Sequence, residues 1–155
     1  MGKGTTFNLY LPITDAAGVA THPPQEAVDE KLLAGKVVLV VEDDARVRRM
    51  SIKRIEALGG TVVDAQDGSE ALATARTLPQ LDLLFTDIVM PGGVNGYQLA
   101  QLLKVEQPDL RVLLTSGYAE ATANAQELEQ SGFRLLRKPY RQLDLSRMIQ
   151  RVMED

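Results

Sequence analysis

The 155-residue chain has no cysteine and a single histidine, His22. The first absence rules out disulfide staples, thiolate metal sites and cysteine nucleophiles, and the second rules out any multi-histidine metal cluster. No window approaches the roughly 18 continuous apolar residues of a membrane span, and the N-terminus lacks a basic region followed by an apolar signal core. Positive charge is also in short supply: 17 Lys and Arg against 21 Asp and Glu leave a net charge of -4. That balance argues against broad nucleic-acid contact and against a basic membrane-surface patch. With 45% hydrophobic and 25% charged residues, the composition is that of a soluble globular domain. The length suits one core and at most a short appendage.

Residues 1–34 differ in texture from the rest. Phe7-Asn8-Leu9-Tyr10-Leu11 alternates as one short strand would, and Pro12 stops it. Thr14 to Ala34 then carries His22-Pro23-Pro24 and scattered acids with no strand period, which reads as linker with a nascent turn of helix from Gln25 to Leu33. A lone strand can neither satisfy its edges nor bury a face, so residues 1–12 read as the end of something missing. From residue 35 the pattern is regular. Val37–Val41 is an unbroken apolar run, as expected for a parallel strand buried on both faces. Val47, Met50, Ile55 and Leu58 follow at roughly helical spacing and stop at Gly59-Gly60. Further strands are predicted at Thr61–Ala65, Leu81–Thr86, Leu110–Thr115 and Phe133–Leu136. Helices are predicted at Gly68–Leu78, Tyr97–Glu106, Ala121–Gln130 and Gln142–Met153. Five strands alternating with five helices predict a doubly wound α/β sandwich of three layers around a parallel sheet. In such a sheet ligands sit beyond the carboxyl ends of the strands, so the polar residues there are the candidates for function.

Glu42, Asp43 and Asp44 close the first strand, Asp87 the third, Thr115-Ser116-Gly117 the fourth and Lys138-Pro139 the fifth. An acidic pair, an Asp-x-x-Met-Pro motif, a hydroxyl followed by a small residue and a Lys-Pro, in this order and at these strand ends, resemble the receiver domain of two-component response regulators. The resemblance covers Lys36 to the C-terminus and implies the flavodoxin-like (βα)5 fold with strand order 2-1-3-4-5. It implies that Asp87 is the phosphate-accepting aspartate, that Lys138 and Ser116 serve it as the family's lysine and switch hydroxyl, and that Glu42 and Asp43 form the acidic pocket. It further implies a metal held by Asp43, Asp87, the backbone carbonyl of Val89 and, through water, Glu42, and a cis peptide between Lys138 and Pro139. Strand alternation favours Ser116 over its neighbour Thr115, because only one of two adjacent side chains faces the site.

The chemistry of the residues points the same way. Clustered carboxylates repel one another unless a cation offsets them. With neither His nor Cys available, an all-oxygen shell favours a hard ion such as Mg²⁺, with Mn²⁺ as a substitute. Two departures from the family pattern stand out. The loop Met90-Pro91-Gly92-Gly93-Val94-Asn95-Gly96 is one residue longer than the commonest version, and its glycines suggest a turn needing positive φ. The position three residues before Lys138, often aromatic in the family, is Leu135, and Tyr118 is the alternative source of aromatic bulk in the switch region.

Gly2-Lys3-Gly4-Thr5-Thr6 and the strand after it resemble the last glycine box and closing strand of a sensor histidine kinase ATP-binding domain. The expected organisation is therefore a kinase remnant at 1–12, a linker at 13–34 and a receiver at 35–155, the order found in a hybrid histidine kinase. The expected function is acceptance of a phosphoryl group from a phosphohistidine onto Asp87 and its passage to a histidine phosphotransfer partner or to water. Expected partners are the histidine-bearing dimerisation domain of the same parent protein, a separate histidine phosphotransfer protein and a second receiver, in the cytoplasm, with neither nucleic acid nor direct membrane contact. The alternative is a pseudo-receiver of the same fold that is never phosphorylated and acts only in docking or dimerisation.

Overall fold

The computed structural model describes residues 29–91, 93–117 and 131–155. The strand expected at Phe7–Leu11, most of the linker with His22, the helix expected at Ala121–Gln130 and Tyr118 lie outside the described residues. Within them the order is β1 (Val37–Val41), α1 (Ala45–Glu56), β2 (Thr61–Ala65), α2 (Gly68–Thr77), β3 (Leu83–Asp87), α3 (Gly96–Glu106), β4 (Arg111–Ser116), β5 (Arg134–Arg137) and α4 (Gln142–Glu154). The strands form one sheet in the order β2-β1-β3-β4-β5, and every pairing is parallel. This is the flavodoxin-like order expected from the sequence.

The unbroken apolar strands are explained by helices on both faces. Alternate side chains of one strand enter different layers. Leu39, Val41 and Leu84 pack with Ala71, Ala75, Leu99 and Leu103 of α2 and α3. Val38, Val40, Leu83 and Phe85 pack with Ile55 of α1 and with Leu145, Ile149 and Val152 of α4. The central strand β3 is buried along its whole length, whereas the edge strand β2 exposes Thr61 and Asp64. Because the chain leaves β1 on one side for β2 and crosses to the other for β3, the carboxyl ends of β1 and β3 flank the switch in strand order, where a crevice must open.

Three local differences from the sequence reading have physical causes. β3 and β4 each run one residue further, to Asp87 and Ser116, because the ladder pairs Asp87 with Thr115 and Ser116 with Arg137. The apolar pattern marks burial and stops short of polar residues that still carry backbone hydrogen bonds. On α1, Val47 and Met50 face outward, Met50 being 55% exposed. Ser51, Ile55 and, past the helix, Leu58 are the buried positions. Leu33, inside the segment read as linker, is fully buried among the α1 and α4 side chains, and its N–H donates to the Leu58 carbonyl at 2.8 Å. The sequence suggests only a nascent turn of helix from Gln25 to Leu33, and so short an apolar stretch does not signal that Leu33 closes this layer of the core.

No helix of the described residues is long and apolar enough to cross a membrane. Truncating Leu33 to Ala removes a fully buried side chain and is expected to lower stability by about 2–5 kcal/mol. Urea denaturation should show a lower midpoint with an unchanged slope; an unchanged midpoint would place Leu33 outside the cooperative core.

Candidate functional site

Each strand that ends at the crevice delivers one polar group, and backbone hydrogen bonds at or just past the end of the ladder hold each of them. The Glu42 N–H donates to the Ala65 carbonyl at 3.3 Å, the Ile88 N–H to the Thr115 carbonyl at 2.9 Å and the Lys138 N–H to the Ser116 carbonyl at 2.8 Å. These bonds prolong β1, β3 and β5 by one residue and fix the backbone around Glu42, Asp87 and Lys138. The Lys138–Pro139 peptide is cis.

The side chains meet at one ammonium. Lys138 Nζ donates to Glu42 Oε2 and to Asp87 Oδ2, both at 2.7 Å. Glu42 and Asp87 are 5% and 8% exposed, so these are charge-assisted bonds in a largely dry setting. Asp43 is exposed, yet one carboxylate oxygen from each of Glu42, Asp43 and Asp87 lies within 4.8 Å of the others. Burial raises the Glu42 carboxyl above its ordinary pKa; the hydrogen bond and charge of Lys138 act against this, and the charges of Asp87 and Asp43 add to it. For Lys138, burial works against the charged form, but the hydrogen bonds and charges of Asp87 and Glu42 outweigh it and the ammonium is held above its ordinary value.

Around this triad the remaining candidates take distinct positions. Asp44 is the N-cap of α1, its carboxylate accepting from the Arg46 and Val47 N–H groups at 2.7 and 3.2 Å. Those two bonds hold its exposed carboxyl below the usual range. Ser116 is fully buried, and its hydroxyl donates to the Gly117 carbonyl at 2.9 Å. The Thr115 hydroxyl turns into the sheet, toward the Thr86 carbonyl at 3.4 Å. Val89 follows Asp87 in an open loop with its side chain 47% exposed. Leu135 is half-buried against the α2 and α3 side of the core. In the loop after Asp87, Gly93 has a φ of 110°, which a side chain rarely tolerates. Gly96 serves a different need: a Cβ there would lie 1.8 Å from the Asp87 carbonyl oxygen.

Sequence reasoning missed the groups that brace this site from α1. Arg48 Nη1 donates to the Glu42 carbonyl at 2.6 Å and Nε to Asp64 Oδ2 at 3.0 Å. Arg54 Nη1 donates to the Tyr140 carbonyl at 3.1 Å, with its guanidinium 5.1 Å from the centre of the Tyr140 ring. Ser51 and Tyr140 share a buried hydroxyl contact at 3.3 Å. An arginine-rich helix reads as a solvated face, and only the register of Ser51 on the buried stripe could have signalled these contacts. Beside Lys138, a groove of about 280 Å³ is walled mainly by Val47, Met50, Pro139 and Tyr140, with Arg46 and Arg54 at its rim.

Three carboxylates against one ammonium leave the cluster short of positive charge, and all its donors are oxygens. Such a set can coordinate a hard divalent cation, with Asp43 providing an open side through which a hydrated ion could enter.

Comparison with known proteins agrees with this geometry. The family model described as response regulator receiver domain matches residues 38–150. The chain is 32% identical over 161 residues to the sensor kinase CckA of Brucella abortus (strain 2308), an alignment that takes in 99% of this chain and 17% of that protein. It is 31% identical over 118 residues to the response regulator receiver protein CpdR of the same strain, covering 76% of this chain and 97% of that protein. Its fold superposes on the chemotaxis protein CheY4 of Vibrio cholerae with a TM-score of 0.66 and 27% identity, over 76% of this chain and 98% of that one. The chain thus spans 17% of the sensor kinase it matches.

Replacing Lys138 by Met removes the hydrogen bond and the charge that pull the Glu42 pKa down, so Glu42 should titrate at higher pH than in the wild type. A carboxyl that keeps its proton to higher pH in the folded than in the unfolded chain costs stability as pH rises through its folded value. The variant should therefore lose stability over a wider interval above the ordinary Glu value of 4.5. Carboxyl carbon NMR titration and urea midpoints against pH measure both effects. An unmoved Glu42 titration would show that the ammonium does not govern that carboxyl.

Proposed function

Because the chain belongs to the response regulator receiver domain family, its model matching residues 38–150, we propose that Asp87 is the phosphoacceptor of a two-component phosphorelay. The observation that carries this reading is the buried Asp87 carboxylate, held by Lys138 at 2.7 Å and within 4.8 Å of the Glu42 and Asp43 carboxylates at the end of the central strand. An oxygen of Asp87 attacks phosphorus as the bond to the imidazole nitrogen of a phosphohistidine breaks, and the donor's imidazole leaves with the electron pair. Return to a second histidine, or attack by water, breaks the aspartyl O–P bond.

The chain's own residues bind and orient. Asp43, Asp87, the Val89 carbonyl and, through water, Glu42 would hold Mg²⁺, or Mn²⁺ in its place. When bound, the ion supplies the positive charge that the three carboxylates lack as charge develops on the transferring oxygens. Lys138 shifts from Asp87 to one phosphoryl oxygen and Ser116 donates a hydrogen bond to another, so both side chains report the phosphorylated state. Leu135 stands at the position where the family often carries an aromatic ring, and on this reading Tyr118 supplies the bulk that is missing there.

The wider organisation follows the same reading. On this reading residues 1–12 belong to the end of a kinase ATP-binding domain, 13–34 to a linker whose last residues seat Leu33 on the receiver core, and 35–155 to the receiver of a cytoplasmic hybrid histidine kinase. The similarity to a sensor kinase over 99% of the chain supports this, because it includes the residues ahead of the receiver match. The phosphodonor is then the histidine-bearing domain of the parent protein or a separate phosphotransfer protein. On this reading the donor would dock at the groove of Val47, Met50, Pro139 and Tyr140, where apolar side chains would meet its apolar surface and Arg46 and Arg54 would meet acidic groups.

Intact-mass measurement after incubation with a small phosphodonor and Mg²⁺ should show one added phosphoryl group in the wild type and none in Asp87→Asn. No addition in the wild type would favour the docking-only pseudo-receiver. Met50→Glu, on the outer face of α1, should slow transfer from a phosphohistidine protein by about tenfold while leaving the small-donor rate unchanged. Equal slowing of both reactions would move the donor surface elsewhere.

A further inference from the structure

The peptide between Glu42 and Asp43 has an unusual task. The Glu42 side chain turns inward, 5% exposed and bonded to Lys138. The Asp43 side chain stays exposed, yet its carboxylate reaches the same cluster within 4.8 Å. One peptide plane sets both directions. Its carbonyl accepts no backbone hydrogen bond among the described residues, because β2 ends at Ala65 and the ladder goes no further. The Arg48 guanidinium takes that place, with Nη1 2.6 Å from the Glu42 oxygen. Arg48 is itself fixed at two points, its N–H on the Asp44 carbonyl at 2.8 Å in the first turn of α1 and its Nε on Asp64 of β2 at 3.0 Å.

A guanidinium beside a cation site is electrostatically unhelpful, since like charges repel across it. The structure answers this with Asp64, whose carboxylate pairs with Arg48 on the side away from the Glu42 carbonyl. We infer that Arg48 is a positioning residue for the cation site: it fixes the Glu42–Asp43 peptide so that Asp43 faces Asp87, and Asp64 cancels the charge it brings. This inference rests on the proposed cation-assisted function. It predicts the opposite sign from simple electrostatics, under which removal of a nearby positive charge would tighten Mg²⁺ binding.

The test is Mg²⁺ affinity, followed by calorimetry or by amide shifts of Asp43 and Ile88, in three variants. Arg48→Met keeps the aliphatic stem and removes donor and charge; it should weaken Mg²⁺ by about tenfold, and the loss should persist at high salt because it is geometric. Arg48→Lys retains a donor able to reach the carbonyl and should recover part of the loss. Asp64→Asn leaves the guanidinium uncompensated and should weaken binding by about twofold at low salt, an effect that vanishes when salt screens it. Affinity in Arg48→Met equal to or tighter than the wild type overturns the inference. If Arg48→Met does not fold, Asp64→Asn carries the test, and unchanged affinity there at low salt overturns it. A wild type that binds no Mg²⁺ would sink the functional reading and this inference together, whereas wild-type binding with an unaffected Arg48→Met sinks this inference alone.

Discussion

One ammonium makes it possible to put two carboxylates at the bottom of the crevice. Glu42 and Asp87 come from different strands and are nearly inaccessible to solvent, so without Lys138 each would be a buried charge facing another of the same sign. Lys138 bonds both at 2.7 Å. Its own position is set by the sheet, through the bond from its N–H to the Ser116 carbonyl, and by Tyr140 two residues on, which packs edge-to-face on Phe85. The arrangement is sensitive because a group held by two bonds can exchange one of them for a newly arrived anion at little cost.

Helix α1 ties the two sides of the site together. Near its start Arg48 holds the Glu42 carbonyl. Nearer its end Ser51 and Arg54 hold Tyr140, and the Arg54 carbonyl accepts from the Gln142 side chain at 2.9 Å. The acidic loop after β1 and the lysine loop after β5 are separated by 96 positions in sequence, yet both hang from this helix. Its outer face, with Val47 and Met50, is the same face that walls the groove beside Lys138. Anything seated there presses on the element that sets both loops.

How much of this was legible in the sequence depended on what kind of signal each feature leaves. Val37–Val41 and Thr61–Ala65 were readable to the residue, because buried strands announce themselves by apolar runs or alternation. Asp87 and Ser116 were readable as strand-end residues but not as members of the ladder, since hydrogen bonding leaves no trace in hydropathy. The meeting of Glu42, Asp43, Asp87 and Lys138 followed from order along the chain once the sheet was parallel and doubly wound. Leu33, Arg48 and Arg54 were not legible. Leu33 ends a stretch too short to signal more than a turn of helix, and a guanidinium that bonds a carbonyl looks, in sequence, like any solvated arginine.

The exposure of Asp43 follows from the charge balance of the site. Lys138 is committed to Glu42 and Asp87, and three carboxylates share that one ammonium, which leaves about two negative charges to be met from outside. A further buried lysine could supply one of them, but it would be permanent and would compete with any phosphoryl group for the same space. A hydrated divalent ion supplies both and exchanges with solvent, provided one ligand stands at the open edge of the crevice. That edge belongs to the residue after Glu42. The inward turn of one acid and the outward turn of the next are therefore the same requirement seen from two sides, and it falls on a single peptide plane to meet it.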